Sequence, residues 1–274
     1  MNHLRRESSP LTPQAIALIE GEAKQALKTY LSARKIVEFT GPRGWEYSGV
    51  DVGRARDVSL GEDAGLSTKL RVVQPLVEVR ATFDLPMREI DDIERGAADP
   101  DLDAVVEAAH RLALAEDRAV YYGAAAAHID GIVSASSQQP ILLSNDFQAF
   151  PGFVSEAIEQ LRNAGVSGPY AIALDTDSYT ALAKTTGDGG YPVLQHVRRF
   201  LDGPIVSAAA LRGALVLSLR GGDFELVVGQ DVSLGYLDHD REKVSLYLEE
   251  SFTFRLLGTE AAVPLLYALP DKTR

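Results

Sequence analysis

Between residues 77 and 85 the chain alternates without a break, with Val77, Val79, Ala81, Phe83 and Leu85 on one face and Glu78, Arg80, Thr82 and Asp84 on the other. Successive side chains of extended backbone point to opposite sides, so this period of two predicts a strand with one dry and one wet face. Its length suits an extended arm, and its apolar face has to be covered by something else. Alternation returns near the end of the chain, at Val244, Leu246 and Leu248 and then at Phe252, Phe254 and Leu256.

Helical periodicity appears elsewhere. Thr12-Pro13 reads as a helix start, with Thr12 as N-cap and Pro13 at the first helical position, where its missing N–H costs nothing. Ile16, Ile19, Ala23, Leu27, Tyr30 and Leu31 then recur mostly at spacings of three and four, predicting a helix to about Lys35. A second long helix is expected from about residue 101 to 127, with Val105, Ala109, Leu112 and Ala115 on its apolar side. Shorter helices are expected over residues 153–164, stopping at Gly165, from a cap at Asp177 through Lys184, and over 193–201. Short strands are expected over 170–174, 204–207, 214–219 and 224–228, the last after a turn at Gly221-Gly222-Asp223. Residues 51–68 are polar, with Gly53, Gly61 and Gly65 at turn positions, and read as an exposed excursion. The mixture, with no internal repeat, predicts an α+β chain with one interwoven and one inserted domain.

Composition narrows the function classes. The 274 residues are 46% apolar, enough for one large or two modest cores. No apolar run reaches the roughly 18 to 20 residues of a membrane helix, and the opening Met1-Asn2-His3-Leu4-Arg5-Arg6 lacks the apolar segment of a secretory leader. A cytoplasmic location with no membrane partner is therefore expected. The absence of cysteine excludes disulfides, thiolate metal sites and cysteine nucleophiles. A formal charge of -12 opposes a nucleic-acid partner, because phosphate binding requires clustered Lys and Arg.

Few constellations point to chemistry. Ile172-Ala-Leu-Asp175-Thr-Asp177 resembles the opening motif of haloacid-dehalogenase-type phosphotransferases, in which one Asp attacks phosphorus and the other handles protons beside Mg²⁺. The motif sits in mid-chain with no later Lys and acidic pair, so a helix cap at Asp177 and a turn at Asp175 are the preferred reading. Asp238-His239-Asp240 reads as a solvated turn, since adjacent turn residues rarely converge on one ion. Trp45, which follows a Gly-rich turn, reads as a packing anchor. The loop Gly187-Asp188-Gly189-Gly190 lacks the Lys-Ser/Thr of a phosphate-binding loop. No catalytic residue, metal site or cofactor is assigned.

One stretch, Arg220-Gly-Gly-Asp-Phe224 followed by Gly229-Gln-Asp-Val-Ser-Leu-Gly-Tyr236, stands out when taken with segments across the rest of the chain. These are Leu31-Ser-Ala-Arg-Lys35, Gly41-Pro-Arg-Gly-Trp-Glu-Tyr47, Pro75-Leu-Val-Glu-Val-Arg-Ala-Thr-Phe83, Asp91-Asp-Ile-Glu-Arg-Gly96, Gly168-Pro-Tyr170 and Gly190-Tyr-Pro192. In this order, from Arg5 to about Leu266, the chain resembles the encapsulin shell proteins, the linocin-type family 1 encapsulins.

That resemblance implies the HK97-like capsid fold of tailed bacteriophages. It divides the chain into an N-terminal helix and arm (1–48), an extended loop (49–85), a peripheral domain (86–130 and 220–274) and an axial domain (131–219). It implies a container: an icosahedral homo-oligomer of about 60 copies, loaded with a dye-decolourising peroxidase or a ferritin-like protein through the cargo's C-terminal peptide. Leu31, Arg34, Ile36 and Glu38 match the family's peptide-binding positions, and Val232, Leu234 and Tyr236 are expected to complete an apolar groove. Leu31, Ile36 and Leu234 would anchor the peptide, and Arg34 and Glu38 would fix its register. Gly187, Asp188, Gly189 and Gly190 would flank a fivefold pore, where Asp188 would favour cations. Arg88 stands where some relatives place an aromatic residue beside flavin, so no flavin is expected. The alternatives are a phage major capsid protein of the same fold and a Mg²⁺-dependent phosphotransferase using Asp175 and Asp177.

Overall fold

The structure, a computed structural model, describes residues 3–60, 66–187 and 189–268. The first half runs through α1 (Pro13–Tyr30), β1 (Glu38–Thr40), β2 (Gly49–Asp57), β3 (Lys69–Pro75), β4 (Val77–Pro86), α2 (Met87–Arg95), α3 (Asp103–Tyr122), β5 (Gly123–Ala124), β6 (Ile129–Asp130) and β7 (Ile141–Leu143). The second half adds α4 (Phe150–Asn163), β8 (Tyr170–Leu174), α5 (Thr176–Lys184), α6 (Val193–Arg198), β9 (Ile205–Ser207), β10 (Ala214–Ser218), β11 (Phe224–Val228), β12 (Ser233–His239), β13 (Lys243–Leu256) and β14 (Ala262–Tyr267).

The first sheet is organised by β13. The alternating strand β4 pairs antiparallel along one side of it, from Lys243↔Pro86 to Phe252↔Val77. Along the other side β12 and β11 follow one another, also antiparallel, from His239↔Val244 to Phe224↔Leu256. The two separate alternations near the end of the chain are thus one strand. Gly235 lies against Tyr247, whose ring would sit 2.1 Å from any added Cβ. β1 completes the sheet, parallel to β11. The dry face of β4, with Ala81, Phe83 and Leu85, meets Ile19, Leu27, Val105 and Leu112 of α1 and α3 in one core, together with Leu234, Leu246 and Leu248.

The second sheet has the order β7-β14-β10-β8-β9. Its fully buried strands β8 and β10 pack with Val154, Ile158 and Leu161 of α4 in a core that continues into Leu226 and Phe254 of the first sheet. The final strand β14 pairs with β10 and β7, so Ala262–Tyr267 belongs to this second sheet although the sequence boundary groups residues 220–274 together.

Several elements differ from the sequence expectation for local reasons. Thr12 accepts from the Ala15 amide at 3.2 Å, as its cap position requires, yet α1 ends at Tyr30 and not near Lys35. The Asp117 carboxylate accepts from the Ser32 and Ala33 amides at 3.0 Å each, and a single 3-10 turn, Ala33–Lys35, replaces further α-helix. α3 stops at Gly123, where φ is 83° and an added Cβ would meet the Ile129 carbonyl oxygen at 2.6 Å. α2 was not foreseen. Its buried Ile90 and Ile93 supply only one short helical spacing directly after a strand.

Asp175, not Asp177, caps α5. One of its oxygens accepts from Ser178 N and the other from Gly213 N, each at 2.6 Å. This overturns the cap expected at Asp177. Asp175 thereby also ties the start of α5 to the turn before β10. The polar excursion is a hairpin of β2 and β3, bulged at Gly53, with Asp51 accepting from the Gly53 amide at 2.9 Å. Gly61 and Gly65 lie outside the described residues.

Candidate functional site: a groove between the first helix and an edge strand

α1 lies against the edge of β12 that faces away from β13, leaving a groove of about 550 Å³ between them. Its apolar lining comes from Ala23, Leu27 and Leu31 on one helical face and from Val232, Leu234 and Leu248 on the strand side. The helical half follows from spacing, because residues four apart share a face. The strand half follows from alternation along β12 and its pairing of Leu234 with Leu248. Glu20, Lys24, Lys28, Arg34, Lys35 and Asp231 line it with charge. Lys24 and Lys28 form no ion pair among the described residues.

Of the seven residues expected to bind a peptide, the structure brings four together: Leu31, Arg34, Val232 and Leu234. Ile36 is buried, and with Glu38 it borders a separate hollow of about 220 Å³ beside Leu219 and Phe224. Glu38 accepts from the Gly222 amide at 3.0 Å, tying β1 to the turn before β11. Tyr236 is buried, with its hydroxyl 2.6 Å from His239 Nδ1. Sequence reasoning missed Ala23, Leu27 and Leu248 as lining residues. The spacing of Ala23, Leu27 and Leu31 carried the signal for the helical wall.

Arg34 is committed within the chain. Its Nε lies 2.9 Å from both oxygens of Glu116, Nη1 donates to Asp231 at 2.8 Å, and Nη2 donates to Glu116 at 2.5 Å and Glu250 at 2.8 Å. The Glu116 and Glu250 side chains are fully buried. Burial, reinforced by the negative charge of Glu116, raises Glu250 well above the ordinary carboxylate range. Burial opposes the charge on Arg34, but hydrogen bonding and attraction to Glu116, with Glu250 adding to it, outweigh that penalty and hold the guanidinium charged. Next to this network Asp117 fixes the turn after α1, and burial pushes its carboxyl up to about 6. Arg34 therefore joins the turn after α1 to α3, to β13 and to the approach to β12 beside the groove.

The expected pore loop lies between α5 and α6. Gly187 N donates to the Tyr191 carbonyl at 2.9 Å, Gly190 N donates to the Gly187 carbonyl at 3.1 Å, and Gly189 and Gly190 adopt φ of 87° and 78°. Asp188 lies outside the described residues. The tripeptide Asp238-His239-Asp240 ends β12, and Asp240 accepts from the amides of Glu242 and Lys243 to close the turn into β13.

The class of protein follows from the whole architecture. A virus-like particle from Pyrococcus furiosus superposes with a TM-score of 0.65 at 18% identity, over 90% of this chain and 97% of that one. Mycobacterium phage Ogopogo superposes at 0.56 and 17% identity, over 85% and 90%. The fold is the HK97-like capsid fold. A family model described as "Encapsulating protein for peroxidase" matches residues 1–253. The type 1 encapsulin shell protein of Rhodospirillum rubrum is 49% identical over 270 residues, covering 97% of this chain and 96% of that one. That of Mycobacterium tuberculosis is 44% identical over 265 residues, covering 97% and 99%. The chain belongs to the type 1 encapsulin shell proteins, a family of shell components and not of enzymes.

Proposed function

We propose that this chain assembles into a closed icosahedral compartment of about 60 copies that sequesters an enzyme by holding the enzyme's C-terminal peptide in the groove between α1 and β12. The observation that carries this reading is the groove itself, between a helix and an edge strand, with Leu31, Val232 and Leu234 in its apolar lining and Arg34 beside them. An extended peptide gains main-chain hydrogen bonds from such an edge and specificity from side-chain pockets beside it. Arg34, with its nitrogens bound to three carboxylates, supports the groove; the apolar residues supply the anchorage. Ile36 and Glu38 serve a peptide only if it continues past Lys35, which borders both hollows.

The cargo is a dye-decolourising peroxidase or a ferritin-like iron-handling protein, and the compartment sits in the cytoplasm. No helix among the described residues is long and apolar enough to cross a membrane. The loop of Gly187, Gly189 and Gly190 forms the rim of a fivefold pore, with Asp188 as its cation-favouring charge. Negative-stain microscopy of the purified protein tests for the shell, and its ultraviolet absorbance ratio separates an enzyme container from a DNA-filled capsid. A fluorescent protein carrying the C-terminal tail of the host's dye-decolourising peroxidase, or separately of its ferritin-like protein, should co-sediment with the shell. Val232→Asp should abolish that co-sedimentation without changing the particles. Equal loading by the Val232→Asp shell would exclude the groove.

A further inference from the structure

The edge of β12 that borders the groove is partly occupied by the chain's own N-terminal residues. The Tyr236 amide donates to the Leu4 carbonyl at 2.9 Å. Arg6 Nε donates to the Leu234 carbonyl at 2.7 Å, and Arg6 Nη2 pairs with Glu20 of α1 at 2.5 Å. Leu234 and Glu20 both line the groove, so the Arg6 guanidinium, beside that lining, links its strand side to its helix side. His3 fastens the start of the segment by stacking on Trp45, with ring centroids 4.0 Å apart and planes inclined by 9°.

We propose that this N-terminal segment is a built-in gate on the groove, with Arg6 as its latch. The proposal rests on the reading of the groove as a peptide site. A guest strand pairing with β12 needs the edge acceptors that β13 leaves unused. The Leu234 carbonyl is one of these, and Arg6 already holds it through a charge-assisted bond, stronger than the neutral amide bond a guest would make. The guest must therefore displace Arg6 or stop short of Leu234. Either way Arg6 determines how tightly and how far a peptide can pair, which makes it a specificity-determining residue. Its side chain is 30% exposed, so truncation leaves no buried cavity.

Assembled wild-type, Arg6→Ala and Arg6→Lys shells provide the test, titrated with synthetic peptides of the same peroxidase and ferritin-like tails. Arg6→Ala should bind about tenfold tighter, the equivalent of one charge-assisted hydrogen bond removed from the competitor. Arg6→Lys should fall between, because an ammonium can reach Glu20 but lacks the planar fork that grips carbonyl and carboxylate together. Hydrogen exchange read by mass spectrometry should show faster exchange at the Tyr236 amide in Arg6→Ala. Unchanged or weaker peptide binding by Arg6→Ala overturns the gate. If none of the three shells binds either tail, the groove reading fails, and exchange alone judges the latch: faster exchange at Tyr236 in Arg6→Ala upholds it, unchanged exchange overturns it.

Discussion

Arg34 donates to Glu250 at 2.8 Å although the Glu250 side chain is fully buried, and the same guanidinium holds the equally buried Glu116. Removing one partner of a buried ion pair strands the others without water, at about 3–5 kcal/mol. Arg34→Ala should therefore lower stability by about that amount, measured as a shift in denaturant midpoint. Glu250→Gln should cost less than about 1 kcal/mol. Burial already favours the protonated form of Glu250, and the amide retains an oxygen to accept from Arg34. An Arg34→Ala protein as stable as its parent would refute this account of the network.

Asp117 gives the stability a pH dependence of defined sign. Its carboxyl is raised from an ordinary 3.8 to about 6, first by burial, while bonds from Ser32 and Ala33 pull it back down. Between those two pH values the native state holds more protons than the unfolded chain, so this contribution to stability falls as pH rises. It is fully present below pH 3.8 and lost as pH passes through about 6. The slope from one group is at most about 1.4 kcal/mol per pH unit. Apparent Tm recorded between pH 4 and pH 7 should show this decline in the parent. Asp117→Asn should be less stable, having lost an acceptor, with a flatter profile across the same window. Parallel profiles for the two proteins would assign the slope to another group.

What the sequence disclosed depends on how far apart the determining residues lie. The dry face of β4 and the stripe of α1 are written in local periodicity, and both formed over nearly the expected residues. The end of α1 is not local. It is set by Asp117, which lies 85 residues beyond Ser32 in the chain. That turn carries Ile36 and Glu38 away from Leu31 and Arg34, so residues close together in sequence border different hollows. Leu248 reaches the groove only because β13 pairs with β12, a tertiary fact that no window around Leu248 contains. Arg6 was similarly unreadable, since its role depends on the edge of a strand from the opposite end of the chain.

The hairpin of β2 and β3 bears on assembly. Among the described residues it pairs with no other strand, and Leu66, Leu70 and Val73 on β3 and its approach are exposed. A two-stranded ribbon is at best marginally stable in water, and Leu70 and Val73, three apart on β3, leave apolar side chains exposed on both of its faces. Its base is fixed to the body, where Gln74 Nε2 donates to the Phe254 carbonyl at 2.6 Å and to Thr253 Oγ1 at 3.2 Å. The anchored base and bare strands fit an arm that is completed by a second copy of the chain. Placing charge at Leu70 and Val73 should block that contact while leaving both cores untouched, since neither residue belongs to them. The double variant Leu70→Glu with Val73→Glu should elute as small species on size exclusion, with an unchanged far-ultraviolet circular dichroism spectrum. Intact shells from that variant would show that the hairpin is dispensable for assembly.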